Sequence, residues 1–142
     1  MTLQELQDKV KKDLKIQHDE LVFESVRTPD IFHEYNRMIM TEKLALKKLE
    51  RHWDEVYLQQ WEYYRKKAPE EVYEKKPLLK KIMDTDVKLY LASDPELQEL
   101  RAQIESKEEL VDFLKRTLDQ VSSRQWNIRN AIEYLKYLGG DK

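Results

Sequence analysis

The feature that most constrains this fold is an unbroken apolar stripe in the last third of the chain. From Leu97 onward, positions chosen at alternating steps of three and four are aliphatic in ten cases out of twelve. A stripe kept over more than five heptads is typical of coiled-coil packing. The twelve positions are Leu97, Leu100, Ile104, Lys107, Val111, Leu114, Leu118, Val121, Gln125, Ile128, Ile132 and Leu135.

Both ends of this stripe carry helix-end signals. Asp94 is a good N-cap residue, Pro95 suits the first helical position, and the pair Gly139-Gly140 suits the C-terminal cap. Such a helix would be about 65 Å long, so it needs another long helix of the chain or copies of itself as cover. We interpret residues 93–142 as an oligomerisation helix, whose predicted contacts are Val111, Leu114, Leu118, Val121, Ile128, Ile132 and Leu135.

Composition favours long solvated helices over sheets. Charged residues make up 38% of the 142, with only 2 Gly and 4 Pro. There is no cysteine, which favours a reducing compartment, and the formal net charge of −2 provides no global attraction to nucleic acid or membrane. With neither an apolar leader nor an 18-residue apolar span, we expect a cytoplasmic protein that does not enter membranes.

The first 92 residues predict a helical body, so that the whole fold is all-α. Thr2 and Glu5 form a capping-box pattern ahead of a short amphipathic helix. A second helical piece over 16–26 is expected to stop at Arg27 and restart at Thr28-Pro29. The segment 31–67 has no Gly or Pro and predicts one helix, or two that meet near Thr41. In the irregular segment 69–93 we expect a short helix over the run from Val87 to Leu91, capped by Asp84 or Thr85, in place of an isolated strand.

Residue patterns for catalysis are missing. The histidines stand 15 and 19 residues apart, without the close spacing of metal pairs. The only glycines lie at the C-terminus, so no glycine-rich phosphate loop is present. We therefore predict a protein that is not an enzyme and has no cofactor, no metal and no catalytic residues.

A basic and aromatic segment in the middle of the chain matches what single strands of nucleic acid require, namely a cationic track and stacking faces. Between Lys43 and Lys81 the net charge is +4, from 11 Lys and Arg against 7 Asp and Glu. The competing interpretations are that the aromatic residues are core, as we expect for Trp53, and that the cations are a solvated helix face. The candidate nucleic-acid-binding residues are Lys43, Lys47, Lys48, Arg51, Trp61, Tyr63, Tyr64, Arg65, Lys66, Lys67, Lys75 and Lys76.

Four segments resemble a known family in order and spacing. They are LQDKVKKDL at 6–14, WEYYRKK at 61–67, YLASDPEL at 90–97 and SSRQWNIRNAIEYLK at 122–136. Together they resemble the UvsY-type recombination mediators of T-even-like bacteriophages over the whole chain. The resemblance implies a non-enzymatic protein that binds single-stranded DNA, a RecA-like phage recombinase and the phage single-strand-binding protein. It also implies a ring-like homo-oligomer, hexameric or heptameric, in the cytoplasm of the infected bacterial host.

The family's DNA-binding segment lies just before and at the double tyrosine, which here is the stretch Trp61–Tyr64. This sequence departs from the family immediately upstream, where it has Leu58, Gln59 and Gln60 in place of basic residues. Its positive charge lies instead on both sides of that stretch.

We therefore expect two functional parts. Residues 1–92 would bind single-stranded DNA and partner proteins, and residues 93–142 would assemble subunits so that many weak sites act on one strand. Such a mediator would help load the recombinase onto strands covered by single-strand-binding protein. One rival is a coiled-coil adaptor that binds only proteins, and the other is a subunit or regulator of an enzyme whose active site lies on another chain.

Overall fold

The computed structural model describes residues 1–140 and contains five α-helices. No strand occurs in the described part of the chain, and the predicted all-α fold is confirmed. The last two residues of the predicted oligomerisation region lie outside the described range. A 3₁₀ turn at Asp84–Asp86 leads into the fourth helix, and the α-helices are α1 (Leu3–Leu14), α2 (Leu21–Tyr64), α3 (Glu70–Lys75), α4 (Val87–Ala92) and α5 (Pro95–Leu138).

The predicted caps form at both α1 and α5. At α1 the Glu5 amide donates to Thr2 Oγ1 at 3.1 Å, and the Thr2 amide donates to Glu5 Oε2 at 3.0 Å. At α5 the Leu97 amide donates to Asp94 Oδ1 at 3.0 Å. Each cap satisfies amides that the first helical turn leaves without a partner.

The predicted break between Arg27 and Asp30 is wrong, because α2 runs through Pro29 without interruption. The part of the predicted second helix that precedes Leu21 is not helical either. Pro29 has no N–H to donate to the Ser25 carbonyl, and tertiary hydrogen bonds hold the turn that precedes it. Arg124 of α5 donates to the Glu24 carbonyl at 2.7 Å and to Thr28 Oγ1 at 2.5 Å. These tertiary hydrogen bonds support the helical turn that ends at the proline.

The chain forms two compact units. Unit 1 comprises residues 1–43 and the segment from Glu109 onward. Its core joins α1, the first part of α2 and the second part of α5, and Tyr35 and Leu114 are its most enclosed side chains. The buried core residues are Leu6, Val10, Ile31, Tyr35, Ile39, Val111, Leu114 and Val121.

Unit 2 comprises Leu44–Glu108 and joins the last part of α2, the helices α3 and α4, and the first part of α5. The short helix expected in segment 69–93 is present as α4 and places Val87 and Leu91 in the core. The buried core residues are Val56, Ile82, Val87, Leu91, Leu97 and Leu100, and Trp53, Trp61, Tyr64, Leu78 and Tyr90 pack against them.

The apolar stripe of α5 contributes to both cores, Leu97 and Leu100 in unit 2 and Val111, Leu114 and Val121 in unit 1. A stripe of this length can be covered by other helices of the same chain or by copies of itself. These five residues are covered by other helices of the same chain. The boundaries of the compact units differ from the predicted functional boundary at residue 92. The division into a binding part, 1–92, and an oligomerisation part, 93–142, stays a prediction.

Candidate nucleic-acid interface

Three of the predicted cations form an exposed row on the unit 2 part of α2. Lys47, Lys48 and Arg51 are all exposed, and none of them is in an ion pair with another of the residues 1–140. Lys43 is also exposed, on the same helix and at the end of the unit 1 segment. Because the protein leaves these charges without carboxylate partners, they are available to phosphate groups.

Three further predicted residues, Arg65, Lys66 and Lys67, directly follow α2. The Arg65 guanidinium lies 4.3 Å from the centre of the Trp61 ring and pairs with Asp84 at 3.3 Å between Nε and Oδ1. Lys66 and Lys67 are exposed. Lys66 adopts the left-handed conformation, with φ of 58°, and so ends the helix. Arg65 is therefore engaged within unit 2, whereas the two lysines project into solvent.

Tyr63 is held against α3. Its ring stacks on the Tyr73 ring with 5.4 Å between centroids and 16° between planes, and its hydroxyl donates to the Lys76 carbonyl at 3.0 Å. Lys75 and Lys76 are exposed around this contact. One face of Tyr63 is thus already covered by protein, while the two lysine side chains are not.

Tyr64 is a structural partner of the α5 cap. Its hydroxyl donates to Asp94 Oδ2 at 2.6 Å, and Gln60 donates to the same oxygen at 2.7 Å. Burial and then the Asp94 carboxylate raise the pKa of the Tyr64 hydroxyl far above its ordinary value. Trp61, Tyr63 and Tyr64 therefore take part in the packing of unit 2, and their role in binding DNA stays a prediction.

A second constellation in unit 2 was missed from the sequence. Trp53, which we expected to be core, is half-buried and carries the guanidinium of Arg101 at 4.7 Å from its ring centre. Trp53, Arg101, Tyr57 and Lys88 lie together in the lining of a groove of about 510 Å³. The spacing of Trp53 and Tyr57 indicates one helix face, but no sequence signal connects them with residues of α4 and α5.

The predicted oligomerisation residues fall into three groups. Val111, Leu114, Val121 and Ile128 are buried, and the first three belong to the core of unit 1. Leu118 and Ile132 are partly buried, whereas Leu135 is 52% exposed. The exposed large apolar residues of this region lie towards the C-terminal end of α5 and are Trp126, Tyr134, Leu135, Tyr137 and Leu138.

The family model described as "Recombination, repair and ssDNA binding protein UvsY" matches residues 9–141, nearly the whole chain. The chain belongs to the UvsY family. That description names no chemical reaction, and no group of side chains in residues 1–140 has the make-up of a metal site. None of the helices described is both long and apolar enough to cross a membrane.

Solved structures of a UvsY protein have the same fold. Three crystal structures of the bacteriophage T4 recombination mediator protein UvsY superpose on the chain with TM-scores of 0.86, 0.82 and 0.84. Their sequence identities are 18%, 18% and 17%, and the matches cover 98%, 96% and 94% of this chain and 98% of each T4 chain. No curated protein sequence matches the chain significantly.

Proposed function

We propose that this UvsY-family protein is a recombination mediator. It binds single-stranded DNA as a homo-oligomer and helps load a RecA-like phage recombinase onto strands covered by the phage single-strand-binding protein, in the cytoplasm of the infected bacterium. The observation that supports this most directly is the row of exposed, unpaired cations Lys47, Lys48 and Arg51 on α2. It provides the positive charge that the sequence lacks at Leu58, Gln59 and Gln60.

The physical basis is displacement of counterions. Each cation that neutralises a phosphate releases a condensed counterion, so the logarithm of the affinity for a single strand falls by about 0.7 per contact for each tenfold rise in salt. Lys66, Lys67, Lys75 and Lys76 extend the set of exposed cations in unit 2. A single subunit offers a weak site of this kind, and an assembly gathers many sites on one strand.

The test is a salt titration of binding to an unstructured oligonucleotide. Changing Lys47, Lys48 and Arg51 together to Ala lowers the affinity and reduces the salt slope by about 2, that is, three contacts at about 0.7 each. The matched control changes Lys11, Lys12 and Lys15, which are equally exposed but lie at the end of α1. Equal losses of slope in the two variants contradict a localised site, and an intact protein that does not bind the oligonucleotide contradicts the proposed function.

We place the assembly contact at the C-terminal end of α5, the end of the predicted oligomerisation helix whose apolar side chains are exposed. Leu135 and Leu138 are 52% and 61% exposed, and burying them between subunits would remove apolar surface from water. Changing both to Asp should lower the mass measured by sedimentation. Leu79→Asp is the control, because Leu79 is 94% exposed and lies in unit 2. An unchanged mass for the double variant contradicts this contact.

A protein that cannot assemble should keep weak, salt-sensitive binding to single strands but lose most of its affinity and its loading of recombinase, because linked sites exceed single-site affinity by roughly 10²–10⁴. If the Leu135→Asp/Leu138→Asp variant is monomeric yet binds as tightly as the intact protein, multivalent wrapping is refuted. A protein-only adaptor would instead lose partner binding without any change in DNA affinity.

A further inference from the structure

We propose that the groove between α2, α4 and α5 in unit 2 is a nucleotide subsite for single-stranded DNA, with Tyr57 as its stacking face and Arg101 and Lys88 as its phosphate contacts. This inference rests on the proposed function and assigns DNA contacts to three residues that are not among the candidate nucleic-acid-binding residues predicted from the sequence. The groove is lined by Trp53, Tyr57, Lys88, Leu91, Ala92, Leu97, Gln98 and Arg101.

The chemistry of the lining fits a nucleotide. It combines two aromatic rings and an aliphatic floor with two cations, and it contains no carboxylate. A volume of about 510 Å³ is within the usual range for small-ligand sites. Single-strand sites pair aromatic faces, on which bases of any sequence stack, with cations that follow the backbone. An acidic residue in the lining would repel the phosphate, and none is present.

The Arg101 guanidinium is held in place but not neutralised. It lies 4.7 Å from the Trp53 ring centre, and no ion pair or hydrogen bond engages it within residues 1–140. A guanidinium that stacks on an aromatic ring keeps its N–H groups directed outward in the plane. Arg65 makes the same kind of stack on Trp61 but is paired with Asp84. Arg101 is therefore the stacked arginine of unit 2 that remains available to a phosphate or base edge.

Tyr57 is the aromatic ring of this groove that remains open to a base. It is 39% exposed, and its ring is tilted by 33° against Trp53 at a centroid distance of 6.2 Å. Its hydroxyl has no hydrogen-bond partner in the described part of the chain, whereas the hydroxyls of Tyr63 and Tyr64 bond to Lys76 and Asp94. Tyr57 thus offers a face and a polar edge that the other two tyrosines have already used.

The experiment measures binding of the full-length protein to oligothymidylate. Tyr57→Leu removes the stacking face and lowers the affinity about fivefold or more, whereas Tyr57→Phe keeps the face and the affinity. Arg101→Gln weakens binding and reduces the salt slope by about 0.7. Arg116→Gln is the matched control, because Arg116 is an exposed arginine of the same helix in unit 1. All three substituted positions, Tyr57, Arg101 and Arg116, carry exposed side chains, and helix content by circular dichroism checks the fold of the four variants.

A second measurement does not depend on affinity. In a Trp61→Phe/Trp126→Phe protein, Trp53 is the sole tryptophan, and oligothymidylate is expected to change its fluorescence at the concentrations at which binding occurs. The groove is overturned if the intact protein binds oligothymidylate but Trp53 emission does not change and neither Tyr57→Leu nor Arg101→Gln lowers the affinity. That result leaves the proposed function standing. Absence of binding by the intact protein overturns both.

Discussion

The carboxylate of Glu24 and the guanidinium of Arg124 form an ion pair inside unit 1, with 3.0 Å between Oε2 and Nη2. Both residues are 2% exposed. Arg27 approaches the other carboxylate oxygen at 3.0 Å, and the Gln17 amide donates to Glu24 Oε2 at 3.0 Å. The pair thereby links α5, the start of α2 and the segment before it, and it lies beside the turn that contains Pro29.

The first prediction concerns the loss of this pair. Arg124→Met should lower the free energy of unfolding by about 3–5 kcal/mol, because Glu24 keeps a buried charge while the Glu24 carbonyl and Thr28 lose a donor. Arg116→Met, at an exposed site of the same helix, should change it by less than about 0.5 kcal/mol. Urea denaturation followed by circular dichroism measures both. A cost below about 1 kcal/mol for Arg124→Met would show that the pair contributes little beyond a surface ion pair.

The second prediction concerns acid. Burial raises the pKa of Glu24. The hydrogen bond from the Gln17 backbone N–H and the charges of Arg27 and Arg124 lower it by more, so the pKa lies below its ordinary value of 4.5. A group whose pKa is lower in the folded state stabilises the fold above its unfolded pKa and loses that contribution as the pH falls through the folded value. Stability should therefore decline below about pH 4.5.

The urea midpoint measured as a function of pH tests this decline, and Glu24→Gln is the variant that isolates the group. Asp13 adds to the acid sensitivity in the same direction. Burial raises the pKa of Asp13, but the hydrogen bonds from Lys9 and Tyr35 lower it by more, so that the pKa lies below its ordinary value. The variant should therefore show a shallower decline rather than none. An equally steep decline in Glu24→Gln would exclude Glu24 as a source of acid sensitivity.

The third prediction concerns Lys66, the only residue other than glycine with positive φ in the described range. Lys66→Gly should raise the free energy of unfolding by about 1 kcal/mol, because a side chain in the left-handed region costs roughly 1–2 kcal/mol, part of which is offset by the greater chain entropy of glycine. Lys67→Gly removes the same charge without relieving a positive φ and should not stabilise. Denaturation midpoints compare the two variants, and equal midpoints would contradict the prediction.

The fourth prediction concerns Asp94, which is 2% exposed. Asp94→Ala should cost about 2 kcal/mol or more, because it removes the cap of α5 and leaves Tyr64 and Gln60 without their acceptor. Asp94→Asn keeps an oxygen acceptor and a good cap residue, so it should cost less. Thermal unfolding of the full chain, followed by circular dichroism, measures the difference. Equal losses in both variants would mean that one oxygen acceptor is not enough and that both carboxylate oxygens of Asp94, with their charge, are required.

Local patterns in the sequence predicted the all-α fold, the caps at Thr2 and Asp94, the short α4 and the extent of α5. These features depend on residues within a few positions of one another, so spacing and capping preferences suffice to predict them. The exposed cations of α2 were predicted as candidates on the same basis. Their contact with DNA is a prediction that the structure leaves to experiment.

Tertiary structure alone decided three other features. Helix α2 continues through Pro29, and Arg124, far along the chain, donates to the turn that precedes the proline. Trp61, Tyr63 and Tyr64 pack within unit 2, while Arg101 lies on Trp53. Five residues of the α5 stripe, Leu97 and Leu100 in unit 2 and Val111, Leu114 and Val121 in unit 1, are covered by helices of their own chain. In each case the partners are distant in sequence, and periodicity within one helix shows which face is apolar but not what covers it.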